Sequence, residues 1–447
     1  MFEEKPPTPR LVGVAEVHVN LHGAAIAFQT SEPTCATLEY GPTASYGMEA
    51  KSLREFAIEH VIVPPYESLA GMKAFHYRLR LTSELGIETV TDDDTAQLSG
   101  GSRTLTVSSE GQDDGPGTPE KPWKTLQHTV DRALPGDIII LKPGLYEGAT
   151  VMTHGGLSGA PIRILAEKPW EAILDGNRTA DMLLTLRGAP YVEVEGLHAR
   201  WFRREGIHVE ASPEVRVTGC KVWNDFFNSG LWPEGYGICA KDSPGFIAER
   251  NLTYSTEWGL VLWDSPRSRL LSNTSTSHTY ACATFLGSGV RGTICRNNDF
   301  AFGGNDVLVF YLEEDQREWL QELDSDYNNL GAHLRSSEGQ MVQDDNPTGV
   351  QVDSIQLPEA FLRGGKALVA FVVGEWKPGC RYLNLDDWRA FSGQEQHSIF
   401  ADPLHLSYLE YRFELAPNSP NLGAGENGAT IGAFGPAEGA NDALTRD

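Results

Sequence analysis

Glu210, Lys241, Trp263 and Phe285 hold the same place in four short apolar segments, four residues after the openings at Gly206, Gly237, Gly259 and Ala281. A carboxylate, an amine and two aromatic rings in one row would make a sugar-binding surface, with rings for stacking and charges for polar substituents. The turns beside these segments add Arg203, Arg204, Trp232, Glu234, Tyr236, Glu257, Trp258, His278, Tyr280 and Asp306, the expected wall of a cleft.

Three chemistries fit this set. β-Elimination beside a uronate needs a neutralised carboxylate, a base for the C5 proton and an acid for the leaving oxygen. Lys241 could be the base if nearby cations depress its pKa. Arg203 or Arg204 could clamp the carboxylate, and Tyr236, His278 or Tyr280 could protonate the leaving group. Asp242 and Asp264, in equivalent turns, could instead join Asp306 around a Ca²⁺ that does the neutralising. The ordinary alternatives are a solvated Lys241–Glu210 pair and an Asp-Ser-Pro sequence that is simply good turn chemistry.

Glycoside hydrolysis needs two carboxylates, about 5–5.5 Å apart for retention or about 6.5–9.5 Å for inversion. Glu210, Glu234, Glu257, Asp264 and Asp306 are the available acids, and Trp232, Trp258 and Trp263 supply stacking faces. A non-catalytic carbohydrate-binding scaffold, or an epimerase, is the third reading. The long loop before Tyr236 argues against a purely structural role.

The elements that position these residues repeat about every 22 residues. Three repeats end in Ser212-Pro213, Ser243-Pro244 and Ser265-Pro266, and an upstream turn column reads Gly219, Asn251, Asn273, Asn297. A period of this length without helical patterning marks a solenoid of strands, in which each rung buries its apolar face on the next. The fold class expected is all-β: a right-handed parallel β-helix preceded by a small β-sandwich. Alternation turns Ile207/Val209, Ile238/Ala240, Leu260/Leu262 and Cys282/Thr284 inward. His208/Glu210, Cys239/Lys241, Val261/Trp263 and Ala283/Phe285 are expected to face outward. The extra residues between Pro213 and Pro244 place one elaborated loop, Phe226 to Tyr236, just before the strand of Lys241.

The net charge of −25 argues against nucleic acid or an anionic membrane as partner. It also weighs against long-range attraction of a polyanionic polysaccharide, although Arg203, Arg204 and Lys241 could still make a local positive site. No apolar run approaches the roughly 20 residues of a membrane span. The six cysteines contain no Cys-x-x-Cys pair, so zinc and redox motifs find no support. Cofactors are therefore none, or Ca²⁺. The start lacks a basic-then-apolar signal segment; a secreted or periplasmic protein without its leader, or a cytoplasmic one, fits.

Ala24–Thr30, Thr37–Gly41 and Phe75–Leu81 alternate as strands, and residues 1–98 resemble the fibronectin type III-like modules that precede many hydrolases. Residues 99–122 read as an entry loop. Thr125–Leu134 reads as a short helix that caps the open end of the coil. Pro122-Trp-Lys-Thr-Leu-Gln127, Pro135-Gly-Asp-Ile-Ile-Ile-Leu-Lys-Pro-Gly-Leu-Tyr146, Ala160-Pro-Ile-Arg-Ile164 and Ile431-Gly-Ala-Phe434 carry a wider likeness. Residues from about 103 to 436 resemble the right-handed β-helix superfamily of pectate lyases, alginate lyases and several glycoside hydrolases, with the β-helix itself expected over 123–436. That resemblance implies a fold and a polysaccharide or oligosaccharide substrate, and matches none of the families' catalytic signatures. An insertion over about 311–400 with short helices near Leu312–Leu320 and Leu385–Phe391, and a tail at 437–447, complete the expectation.

Overall fold

The computed structural model describes residues 8–436 apart from 225–234, 279, 304–305, 313, 332–368, 374–379, 384 and 408–411. Contacts separate two compact units, Met1–Leu141 with Met152–Ile164, and Lys142–Val151 with Leu165–Asp447.

In the first unit the 18-residue strand Ala24–Gly41 organises an antiparallel sheet. Leu11–Val19 and Ala57–Ile62 pair with its first half, Met48–Lys51 and Ala74–Ser83 with its second. The alternation read from the sequence is real: Leu38, Tyr40, Phe75, Tyr77, Leu79 and Leu81 share one buried core. The long strand serves both halves and joins their strands into one hydrogen-bonded network.

The cap helix forms at Leu126–Arg132, with the Thr125 hydroxyl accepting the amide of His128 at its N-terminus. Its Asp131 pairs with Arg54 at 2.7 Å, and Asn20 Nδ2 donates to the carbonyl of Pro135. These bonds tie the helix to the antiparallel sheet, so this compact unit runs on past residue 98.

The second unit repeats three strands per turn. A front sheet contains Met182–Arg187, Glu205–Glu210, Tyr236–Lys241, Trp258–Trp263, Ala281–Leu286 and Asp306–Leu312, each parallel to the next. A second sheet runs from Gly144–Glu147 through His198–Arg200 to Asp299–Gly303, and a third includes Val192–Glu195 through Asp324–Asp326. The chain is a parallel β-helix. No helix among the described residues is long and apolar enough to cross a membrane.

Two buried polar ladders hold the turns. Ser212 N donates to Ser243 Oγ and Ser243 N to Ser265 Oγ, both at 3.0 Å. The second ladder is Asn251, Asn273, Asn298 and Asn328, each side chain accepting the amide of the rung before. The expected turn column is thus displaced by one residue at two places. Gly219 and Asn297 are the left-handed turn residues (φ 61° and 59°), while Cys220 and Asn298 hold the ladder positions. Both expected short helices in 311–400 form, as a 3₁₀ segment at Glu314–Glu322 and an α-helix at Leu385–Ser392. Trp388 stacks on Phe310, which stacks on Phe285, and these rings close the core.

Candidate functional site

The front sheet positions the site through its register. Glu210 pairs directly with Lys241, and Lys241 with Trp263, on adjacent rungs. The fourth rung is offset by one from the expectation. Trp258 pairs with Ala281 and Trp263 with Leu286, so Cys282 stands where Gly206, Gly237 and Gly259 stand. Phe285 accordingly turns inward, 1% exposed, and does not join the outward row. The other turn of this correction is that Thr284 follows His208, Cys239 and Val261, while Ala283 follows Ile207, Ile238 and Leu260.

Each opening glycine sits at an inner corner: a Cβ on Gly206 would strike Val222, and one on Gly259 would strike Ser275 and His278. The residues just before it pair in register as a second column, Glu205, Tyr236, Trp258 and Ala281.

Ion pairs fill the row at the far edge. Arg187 Nε bonds Glu210 Oε2 at 2.8 Å, and Lys241 Nζ lies 3.7 Å from Glu210 Oε1. The Arg187 hydrogen bond holds the Glu210 carboxyl below the usual carboxylate range. Lys241 Nζ also sits 4.9 Å from the ring centroid of Trp263, a residue 37% exposed. Cation, carboxylate and open indole face therefore share one strip.

The near edge is aromatic. Trp258 stacks on Tyr280 at 4.9 Å and on Tyr311 at 6.0 Å, and Tyr236 meets it edge-on. Burial, then the charges of Cys239, Glu205 and Glu257, push the Tyr236 hydroxyl up to about 12, against the pull of Arg204. Arg204, Tyr236, Glu257, Trp258 and Tyr280 are thus gathered at one end of the face. Arg203 is exposed and 3.4 Å from Asp181.

Between the two edges lies a cluster that the sequence reading did not assemble. His208 Nδ1 hydrogen-bonds the Glu205 carboxylate, and His208 Nε2 faces Glu210 Oε2 at 3.6 Å. Cys239, the cross-strand partner of His208, bonds Glu205 as well, and burial followed by that carboxylate raises its thiol pKa well above the usual value. All three side chains are buried. The signal was present in the outward positions His208 and Cys239, but Glu205 read as a turn residue.

His278 is not in the cleft. Ser277 takes a left-handed φ of 57° and sends the imidazole into the coil interior. There it bonds Thr256 Oγ1 at 2.8 Å and Ser275 Oγ at 2.9 Å, and burial lowers its pKa to about 3. Asp242 and Asp264 hold equivalent left-handed turns (φ 49° and 46°), and Asp264 Oδ1 accepts the Ser288 amide at 2.9 Å. Among the described residues, Glu205, His208 and Cys239 form the group of three His, Cys or carboxylate ligands close enough to share a metal; Asp242 and Asp264 are in no such group. Asp306 pairs with Ala281 through the backbone. Trp232 and Glu234 lie outside the described residues.

No protein-family profile matches the sequence. The uncharacterised Bacillus subtilis protein YwoF is 30% identical over 92 residues, 21% of this chain and 20% of that one, so the match spans about a fifth of the relative. Among solved structures, a rhamnogalacturonan lyase overlaps 68% of this chain and 91% of its own at 12% identity and a TM-score of 0.38. An alginate lyase from Paenibacillus covers 52% and 88% (14%, 0.29), and a GH87 α-1,3-glucanase catalytic domain 69% and 60% (11%, 0.29). No residue role is carried over from any of them.

Proposed function

We propose that this chain is a carbohydrate-active enzyme that binds a uronate-containing polysaccharide across the front sheet and cleaves it by β-elimination. The row Arg187–Glu210–Lys241–Trp263 carries the reading. The exposed part of the Trp263 indole offers a sugar platform, and Arg187 can transfer from Glu210 to a substrate carboxylate. The overall charge of −25 is screened beyond about 8 Å at physiological ionic strength, so the cations lining the face set the local attraction.

The proposed step requires the free-base form of the Lys241 amine, which takes the C5 proton. The electron pair left behind becomes the C4–C5 double bond as the C4–O bond breaks. The departing oxygen takes its proton from water, because Tyr236 and Tyr280 stand at the other edge of the face from Lys241. The carboxylates suit hydrolysis less well. Glu210 is a poor proton donor while Arg187 holds it ionised, and Glu205 is committed to His208 and Cys239.

The test is an ultraviolet assay for the unsaturated product on uronate polymers, run beside neutral glucan and xylan. Lys241→Ala should abolish the signal. Cleavage of a neutral polymer without that absorbance would replace elimination by hydrolysis.

A further inference from the structure

We infer that Glu205, His208 and Cys239 form a binding site for a zinc-like transition-metal ion, set in the front sheet beside the Glu210–Lys241 row. One carboxylate oxygen, one imidazole nitrogen and one thiol sulfur lie within 4.8 Å of one another, and all three residues are buried. The fold supplies this geometry from two rungs. Glu205 and His208 lie three apart on one strand, on either side of the Gly206 corner, and their side chains meet on the outward side. Cys239 stands opposite His208 on the next rung.

The donor types select the ion. A thiolate with an imidazole and a carboxylate suits zinc and its neighbours, whereas calcium takes oxygen donors throughout. Three protein ligands leave a fourth position for water or another ligand, the arrangement of catalytic rather than closed structural zinc. The outer shell is also present. His208 Nε2 faces Glu210 at 3.6 Å, which leaves Nδ1, the nitrogen toward Glu205, for the metal. A carboxylate on the far nitrogen is the usual support for a ligating imidazole. Binding would balance by loss of the Cys239 thiol proton to solvent as the metal–sulfur bond forms.

The test uses the full chain, stripped with chelator and titrated with Zn²⁺, and separately with Co²⁺ to report thiolate ligation by its charge-transfer absorption. One equivalent should bind, with the thiolate band. Cys239→Ser should remove the band and stoichiometric binding, and Glu210→Gln should weaken affinity about 10–100-fold. Cys35→Ser and Asp242→Asn should leave binding unchanged. No stoichiometric zinc on the wild-type chain, or a thiolate band that survives in Cys239→Ser, would overturn the site. Circular dichroism of the metal-free variants separates loss of the ligand from loss of fold. This readout involves no turnover, so it stands or falls apart from the proposed elimination.

Discussion

Trp263 keeps about a third of its surface open in an outward row, with Lys241 on one flank and Leu286 on the other. Truncating it to Ala should leave folding intact and weaken oligosaccharide binding by about 1–3 kcal/mol, the usual loss for an aromatic platform. Titration calorimetry on the wild type and the variant would check this, and equal affinities would place the groove elsewhere. His278 makes the opposite case. Its folded pKa is lowered to about 3 by burial, against 6.5 when exposed. The folded form therefore binds fewer protons than the unfolded chain between these values. The neutral ring's contribution is fully present above pH 6.5 and is lost as pH falls toward 3. Replacing His278 with Asn should flatten the fall in stability across that window, measured by denaturant midpoints at several pH values. An unchanged slope would mean that the imidazole is solvated after all.

At the scale of the elements, the Asn251–Asn273–Asn298–Asn328 ladder fixes the rung spacing on the side away from the site. Asn273 Oδ1 accepts both the amide and the Nδ2 of Asn251, and its own Nδ2 serves Ala248 and Asn298. Asn273→Ala strands two buried donors of Asn251, so a loss of roughly 2–6 kcal/mol is expected at about 1–3 kcal/mol for each unsatisfied group. A denaturant midpoint within error of the wild type would show that water replaces the lost acceptor. This periodicity was legible in advance: Ser-Pro turns and opening glycines set the register from Glu205 to Trp263, and the pairing of Lys241 with Trp263 follows from it. The fourth rung was not legible. Ala281, Cys282 and Ala283 are all small, so composition there does not say which one takes the corner, and a one-residue error carries Phe285 from core to surface. The Glu205–His208–Cys239 cluster was hidden for a related reason. The corner at Gly206 breaks strict alternation, and alternation was the rule used to sort inside from outside. His278 was lost to a single left-handed residue, Ser277, a conformation that a serine codon does not announce.

For the molecule as a whole, the claim is that a uniform coil presents one chemically distinct face, with cations and an open indole at one edge and stacked aromatics at the other. The acidic surface and the cationic strip make opposite predictions for salt. A polyanionic substrate held by Arg187 should bind less tightly as ionic strength rises. A neutral sugar held by stacking should be nearly indifferent. The decisive measurement remains the chemical product: ultraviolet absorbance of reaction mixtures containing uronate polymers, with wild type and Lys241→Ala in parallel. The account predicts growing absorbance of an unsaturated uronate with the wild type and none with the variant. Chain cleavage without that absorbance, or undiminished absorbance from Lys241→Ala, would contradict it.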